Sequence, residues 1–492
     1  MDTSALGRVG RNHRSPVTAK PLLSCSPTRG GACPEDAGVK IAVVTPYWRV
    51  IPETLARCIG SVQRQTIAAT HYLVADGEPQ ALAARNDDVH LVLPANVGNT
   101  GATPRGMGAQ LAFNDGCDAV AFLDADNWLE PDHLAKATAL LEREGLDIVF
   151  ARRHIVFPDG ERLPPGDEED EAGDHVDTSC HVISRRASFM AGIWGMYPGA
   201  FGSGGDRLPL HVIRLMGLRT GFLAERTVWY ETNWPQHYQR AGKAPTGPLR
   251  QPSRSVVACF DPETYRQHTG ITLPFLPGPR SARPEKKHPH DWRIAVVTPC
   301  RDGDGTALRR CIDSVRRQGD RVSHVVVCNS PPPAEASGVM CLSLPCGSPA
   351  DHGGTARGLG AMLAFQLGFD AVAFLDAGSV LSPGHLDAAR AALAAHPADV
   401  LVSSTADVLD GLLIARNAAH LGILAAQLPP LPTRAHAAAL MVMIARARGA
   451  SVHRLATGAP ADAAPMPPAT PFTLDASTLF QRTGVRAAGA LT

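Results

Sequence analysis

The stretch DAVAFLDADNWLEPDHL (Asp118–Leu134) returns about 250 residues later as DAVAFLDAGSVLSPGHL (Asp370–Leu386), with Gly378 where the first passage has Asp126. Each passage reads as a short buried strand, AVAF, running into a turn and then a helix past a Pro. The repetition extends outward. KIAVVTPYWRVIPETLARCIGSVQRQT from Lys40 is echoed by RIAVVTPCRDGDGTALRRCIDSVRRQG from Arg293. Thr45 and Thr298, Cys58 and Cys311, Ser61 and Ser314, Gln65 and Gln318, and His71 and His324 all keep one offset of 253 residues. A period this long implies duplicated domains, because solenoid repeats run roughly 20 to 50 residues.

Within each copy, β-rich runs (IAVVTP, HYLVADG, VHLVLP, AVAFLDA) alternate with apolar residues at helical spacing (LARCIGSVQRQ, GMGAQLAFNDG). That alternation predicts an α/β class, two tandem domains with mostly parallel sheets covered on both faces. Ligands of such sheets gather beyond the carboxyl ends of the strands. Residues 1–38, rich in Ser, Pro, Gly and Arg, are expected to be a disordered leader, and residues 277–291, PGPRSARPEKKHPHD, a linker. The domains then occupy 39–276 and 292–492.

The 492 residues carry 47 basic and 47 acidic side chains, and this balance points to no nucleic-acid partner. Eleven cysteines without a CxxC pair fit reduced thiols, hence a cytoplasmic location. No apolar run approaches the roughly 18 residues of a transmembrane segment.

Asp124 and Asp126 end the first AVAFLDAD with one small residue between them. In extended backbone, positions i and i+2 face the same way, so both carboxylates can enter one pocket and suit Mg²⁺ or Mn²⁺ shared with a diphosphate. The plainer reading is an acidic turn capping the helix after Pro131. TGATPRGMG (Thr100–Gly108) and GGTARGLG (Gly353–Gly360) imitate dinucleotide-binding loops. Both lie well inside their domains, away from the first strand, and no Tyr is followed four residues later by Lys, so an oxidoreductase is set aside. The acidic run GDEEDEAGD (Gly166–Asp174) is read as a solvated loop, with a mobile flap as the lesser alternative.

VVTPYWR (Val43–Arg49), LVADGE (Leu73–Glu78), NVGNTGATPRGMG (Asn96–Gly108) and FLDADNWLEPDHL (Phe122–Leu134), in this order and spacing, resemble family 2 glycosyltransferases of the GT-A fold over residues 40 to about 245. The resemblance implies two tandem GT-A-like domains, Rossmann-like in layout, the first an inverting, metal-dependent glycosyltransferase. It implies that Thr45, Pro46 and Tyr47 end the first strand beside the nucleotide. Asp76 would bond the base or ribose, Arg105 would lie near the nucleotide or diphosphate, and Asp124 and Asp126 would form the metal motif. The family usually has an Asn-containing stretch where this chain has PRGMG. VDTSCHVISRRAS (Val176–Ser188) resembles the strand and Arg-bearing turn opening the acceptor side. GSGGDRLPL (Gly202–Leu210) resembles the loop holding the general base, which would make Asp206 that base; an N-cap for the next helix is the alternative. His237 stands where relatives place a metal ligand or phosphate contact, and equally reads as a packed or surface residue. The implied partners are a nucleoside-diphosphate sugar donor and an acceptor that is a glycan, a lipid-linked sugar, a protein or a metabolite.

In the second copy Asp76 becomes Asn329, Asp126 becomes Gly378, and Asp206 falls near Arg434, while Asp124 keeps its counterpart Asp376. One carboxylate is a poor divalent site, so this domain is expected to be catalytically dead, packing on the first as an intramolecular pseudo-dimer or binding acceptor. Two other readings are a non-catalytic nucleotide- or sugar-binding protein and a sugar-nucleotide-forming nucleotidyltransferase. The latter would need a Gly-rich loop where TPYW stands.

Overall fold

The computed structural model describes residues 39–84, 88–164, 175–199, 201, 206–250, 265–267, 288–345, 351, 353–395, 399–403, 412–427, 441–442, 444–445 and 450–455. The leader, the acidic run, most of the linker and Arg434 lie outside them. Among the described residues no helix is long and apolar enough to cross a membrane.

The first domain is an eight-stranded sheet built from β1 (Ile41–Tyr47), β2 (Ala69–Ala75), β3 (Val89–Val92), β4 (Ala119–Phe122), β5 (Trp128–Leu129), β6 (Ile148–Val156), β7 (His181–Ser184) and β8 (Thr220–Glu231), in the order β3-β2-β1-β4-β7-β6-β8-β5. β1, β2, β3 and β4 run parallel, and β7 enters antiparallel beside β4. The second sheet holds β9 (Ile294–Cys300), β10 (Val322–Cys328), β11 (Met340–Ser343), β12 (Ala371–Phe374), β13 (Val400–Ser403), β14 (Leu412–Ala415) and β15 (Val452–Leu455), in the order β11-β10-β9-β12-β14-β13-β15. It repeats the first strand for strand, with antiparallel β14 in the place of β7 and only the edge strand β5 lacking an equivalent among the described residues.

Both strand and helix signals act as expected. Every residue of β1 is buried. Helix α1 (Pro52–Gln63) starts on a Pro at its first turn and buries Leu55, Cys58, Ile59 and Val62 on one face. Helix α2 (Ala102–Asn114) follows a different logic, being buried from Ala102 to Phe113 on all sides. Its Gly106 and Gly108 cost a helix about 1 kcal/mol each relative to Ala. Their use is proximity: a Cβ on Gly108 would press on Val44 and Val74 of the sheet, and one on Gly106 would meet the backbone of Ala191 and Gly195 in α4 (Ala191–Gly195). The dinucleotide-like glycines are therefore packing devices.

The helices numbered onward are α3 (His133–Glu144), α5 (Arg207–Met216), α6 (Pro235–Ala241), α7 (Gly305–Arg316), α8 (Gly354–Gln366), α9 (His385–Ala395) and α10 (Ala419–Gln427). Gly358 and Gly360 of α8 repeat the device against Ala426 of α10 and against Val297 and Val327. The described residues from Val39 onward form one compact unit, and one apolar cluster runs through both sheets, joining α2 and α4 to α8 and α10.

Candidate active site

A cleft of about 440 Å³ opens beyond the carboxyl ends of β1, β2 and β4, where the sheet topology places it. Pro46, Tyr47, Asp76, Arg105, Asp124 and Asp126 line it, so six of the sequence-derived residues meet there. Thr45 does not reach it. Its hydroxyl points into the core, 2.8 Å from His71 Nε2, and residue 298 repeats the arrangement at 2.8 Å from His324. Burial pushes His71 down to about 3 and His324 to about 4, so both imidazoles are neutral bonding partners. Present in both copies, this pair is a strut under the first strand. Thr45→Val and Thr298→Val are each expected to cost about 1–3 kcal/mol in urea unfolding, because each strands a buried imidazole nitrogen.

The two carboxylates sit in a turn rather than at i and i+2 of a strand. β4 ends at Phe122, and Asn127 N–H closes the turn onto the Asp124 carbonyl at 2.9 Å. A polar frame holds the turn. Ser179 Oγ accepts from Asp124 N–H (3.1 Å) and from Asn127 Nδ2 (2.9 Å), and Ser179 N–H donates to Asp177 (3.0 Å). Asp177 in turn accepts from the buried Arg153 at 2.7 Å. From the other side Arg57 donates to the Asp126 carbonyl (3.1 Å) and to Glu231 (2.8 Å), its guanidinium lying over Trp128.

Within the turn the carboxylates differ. Asp124 is engaged by Arg105, which is almost wholly buried. The enclosing cleft walls, then the neighbouring Asp124 charge, raise the Asp126 carboxyl above its ordinary value, while nearby Arg250 opposes this. Asp126 nonetheless remains open to solvent at the cleft mouth. Asp76 is fixed to the wall by Val97 N–H (2.8 Å) and Gly98 N–H (3.2 Å) and by Asn96 Nδ2 (3.1 Å), and burial raises its pKa. The Tyr47 hydroxyl is paired with His90 Nε2 at 2.7 Å.

Asp206 and His237 are placed elsewhere. Asp206 stands at the N-cap position of α5 with no capping bond to the helix; it lies 2.6 Å from His175 Nε2 instead. Burial alone would raise the Asp206 pKa, but the bond to His175 outweighs it and the pKa is lowered; conversely His175 is raised by Asp206 against the pull of burial. His237 is buried on α6 with Nδ1 2.6 Å from Thr232 Oγ1, away from the cleft lining. Sequence reasoning missed Arg250, which lies over Trp234 and lines the cleft, and the Arg153–Asp177–Ser179 frame; VDTSC was visible as a motif, its partners were not.

A family model described as glycosyl transferase family 2 matches residues 42–207. Those residues make up the greater part of the first domain, which is thus similar to that family. Over 121 residues, 23% of this chain and 37% of the other protein, the sequence is 33% identical to the succinoglycan biosynthesis protein ExoW of Rhizobium meliloti. The chain thus spans little more than a third of that relative. Solved structures of S. aureus TarS are similar at TM-score 0.32: one of residues 1–349 with UDP-GlcNAc is 15% identical, covering 47% of this chain and 64% of that one, and another of residues 1–349 is 16% identical, covering 41% and 63%.

Proposed function

We propose that the first domain transfers a sugar from a nucleoside-diphosphate sugar to an acceptor hydroxyl, inverting the anomeric centre in a single displacement and using Mg²⁺ or Mn²⁺. The observation that carries the reading is the cleft of this family 2-like domain, with Asp126 open to it and Asp124 locked beside it by Arg105. The donor set fits a hard divalent cation. Among the described residues no third His, Cys, Asp or Glu gathers with the pair, and Mg²⁺ is commonly held by one or two carboxylates plus substrate phosphates. Asp126, raised by the enclosing cleft walls and then by the Asp124 charge, is the group a cation would relieve. When bound, such an ion supplies Lewis-acid stabilisation of the departing diphosphate.

The chain's own residues do the rest. Pro46, Tyr47 and Asp76 wall the nucleotide end, and Asp76 retains lone pairs for a base or ribose donor. Arg105 holds Asp124 oriented through their ion pair. Arg250 faces the same cleft with a positive charge suited to a diphosphate. Asp206, held ionised by His175, is the base for the acceptor proton. The second domain, with Gly378 for Asp126 and Asn329 for Asp76, is non-catalytic in this reading.

Nucleotide release from a panel of UDP-, GDP- and dTDP-sugars with Mn²⁺ or Mg²⁺ tests the reading; no release from any donor, with or without candidate acceptors, would count against it. A pH profile tests the base. His175 stabilises the fold fully below its ordinary 6.5 and loses that contribution as pH rises through its raised pKa; Asp206 contributes fully above its ordinary 3.8 and loses it as pH falls through its lowered one. Removing the imidazolium by His175→Gln is therefore expected to raise the Asp206 pKa and move the acid limb of kcat/KM to higher pH. An unmoved limb would separate Asp206 from the proton transfer.

A further inference from the structure

Among the described residues, the apolar core shared by the two domains contains a knot of polar contacts built twice, each domain reaching into the other at matching positions. The register is set by Arg185 and Arg416: each donates its N–H to the residue before a central strand, Asp118 or Asp370, at 2.7 Å. Each turns its guanidinium back on the end of the preceding helix, at Phe113 and at Phe365. By that register Gly195 corresponds to Ala426, the residues that Gly106 and Gly358 respectively approach. Across the interface Asn114 of α2 donates to the Ala426 carbonyl at 3.0 Å, and its counterpart Gln366 of α8 donates to the Gly195 carbonyl at 2.9 Å and the Tyr197 carbonyl at 3.2 Å.

Only one half of this knot leads to a reaction site. The carbonyls that Gln366 holds are the same two gripped from the cleft side, where Thr103 Oγ1 donates to Gly195 (3.0 Å) and Asn99 Nδ2 to Tyr197 (3.0 Å). A carbonyl has two lone pairs, so both grips are satisfied together. Asn99 belongs to the loop whose Gly98, Thr100 and Gly101 line the cleft. On the far side Tyr197 packs edge-on against Phe201. The Gly195–Tyr197 turn thus joins the donor-side loop to α8 of the second domain.

Resting on the functional reading above, we propose that Gln366 is a positioning residue supplied by the second domain: it fixes the Gly195–Tyr197 turn and, through Asn99, the loop that holds the donor against Asp124 and Asp126 in the cleft. The lost carboxylate at Gly378 and the retained fold then have one explanation, since the second domain serves as a template for the first and needs no chemistry of its own.

The test compares full-length wild type, Gln366→Met, which keeps the volume and removes the donor, and Asn114→Ala on the symmetric side. Gln366→Met is expected to lower kcat for sugar transfer about ten- to a hundredfold, the scale of a small misplacement of a reacting group, with donor KM within twofold and faster amide exchange over residues 195–201. Asn114→Ala is expected to lower the melting temperature with kcat unchanged. Unchanged kcat in Gln366→Met beside an active wild type would overturn the positioning role alone, as would a loss carried by KM. A wild type inactive with every donor would overturn the functional reading and this role with it.

Discussion

Asp126→Ala is expected to lower metal-dependent nucleotide release by about a thousandfold while leaving the urea midpoint unchanged. A bound divalent ion supplies several kcal/mol of transition-state stabilisation, and each 1.36 kcal/mol is tenfold in rate. Fold stability should not follow, because the side chain is open to solvent and only its main-chain carbonyl serves the frame, accepting from Arg57. Removing its charge also relieves Asp124 beside it. Such exposed substitutions usually stay within about 0.5 kcal/mol. Kinetics and unfolding on the same preparation check both halves.

Arg357→Met should do the opposite. In the second domain Arg357 pairs with Asp376 as Arg105 does with Asp124, but with side-chain exposures of 1% and 10% the pair is far more enclosed. Stripping one partner from a buried ion pair costs about 3–5 kcal/mol, since the remaining charge loses its compensation. The expected result is a fall of that size in unfolding free energy, with nucleotide release per folded molecule retained. The pair's survival in a domain without Asp126 marks it as part of the fold's wiring, and makes Arg105 a holder of Asp124 before anything else.

The fold was legible because its signals are local and appear twice. Runs such as IAVVTP and AVAF are buried from end to end, and the Pro at the head of α1 and the glycines of α2 act on their own neighbourhoods. The cleft was legible for a related reason, since Pro46, Asp76 and Asp124 all stand at strand ends that the topology gathers. What escaped was direction and partnership. Thr45 sits in the correct strand, yet its hydroxyl bonds to His71 in the core, and it is Pro46 and Tyr47 at the strand's end that line the cleft. The carboxylates share a pocket through a turn, fixed by Ser179 some fifty residues away, and not through strand periodicity. Gln366, the site's most distant support, is separated from Gly195 by 171 positions, and no pattern in the chain links them.

The most direct test is the stoichiometry of donor binding, measured by calorimetric titration of the full-length protein with the best nucleoside-diphosphate sugar in the presence and absence of Mn²⁺. One metal-dependent site per chain, lost in Asp126→Ala and kept in Asp376→Asn, is the predicted result. Two sites, or a single site that survives Asp126→Ala and disappears with Asp376→Asn, would contradict it and return the chemistry to the second domain.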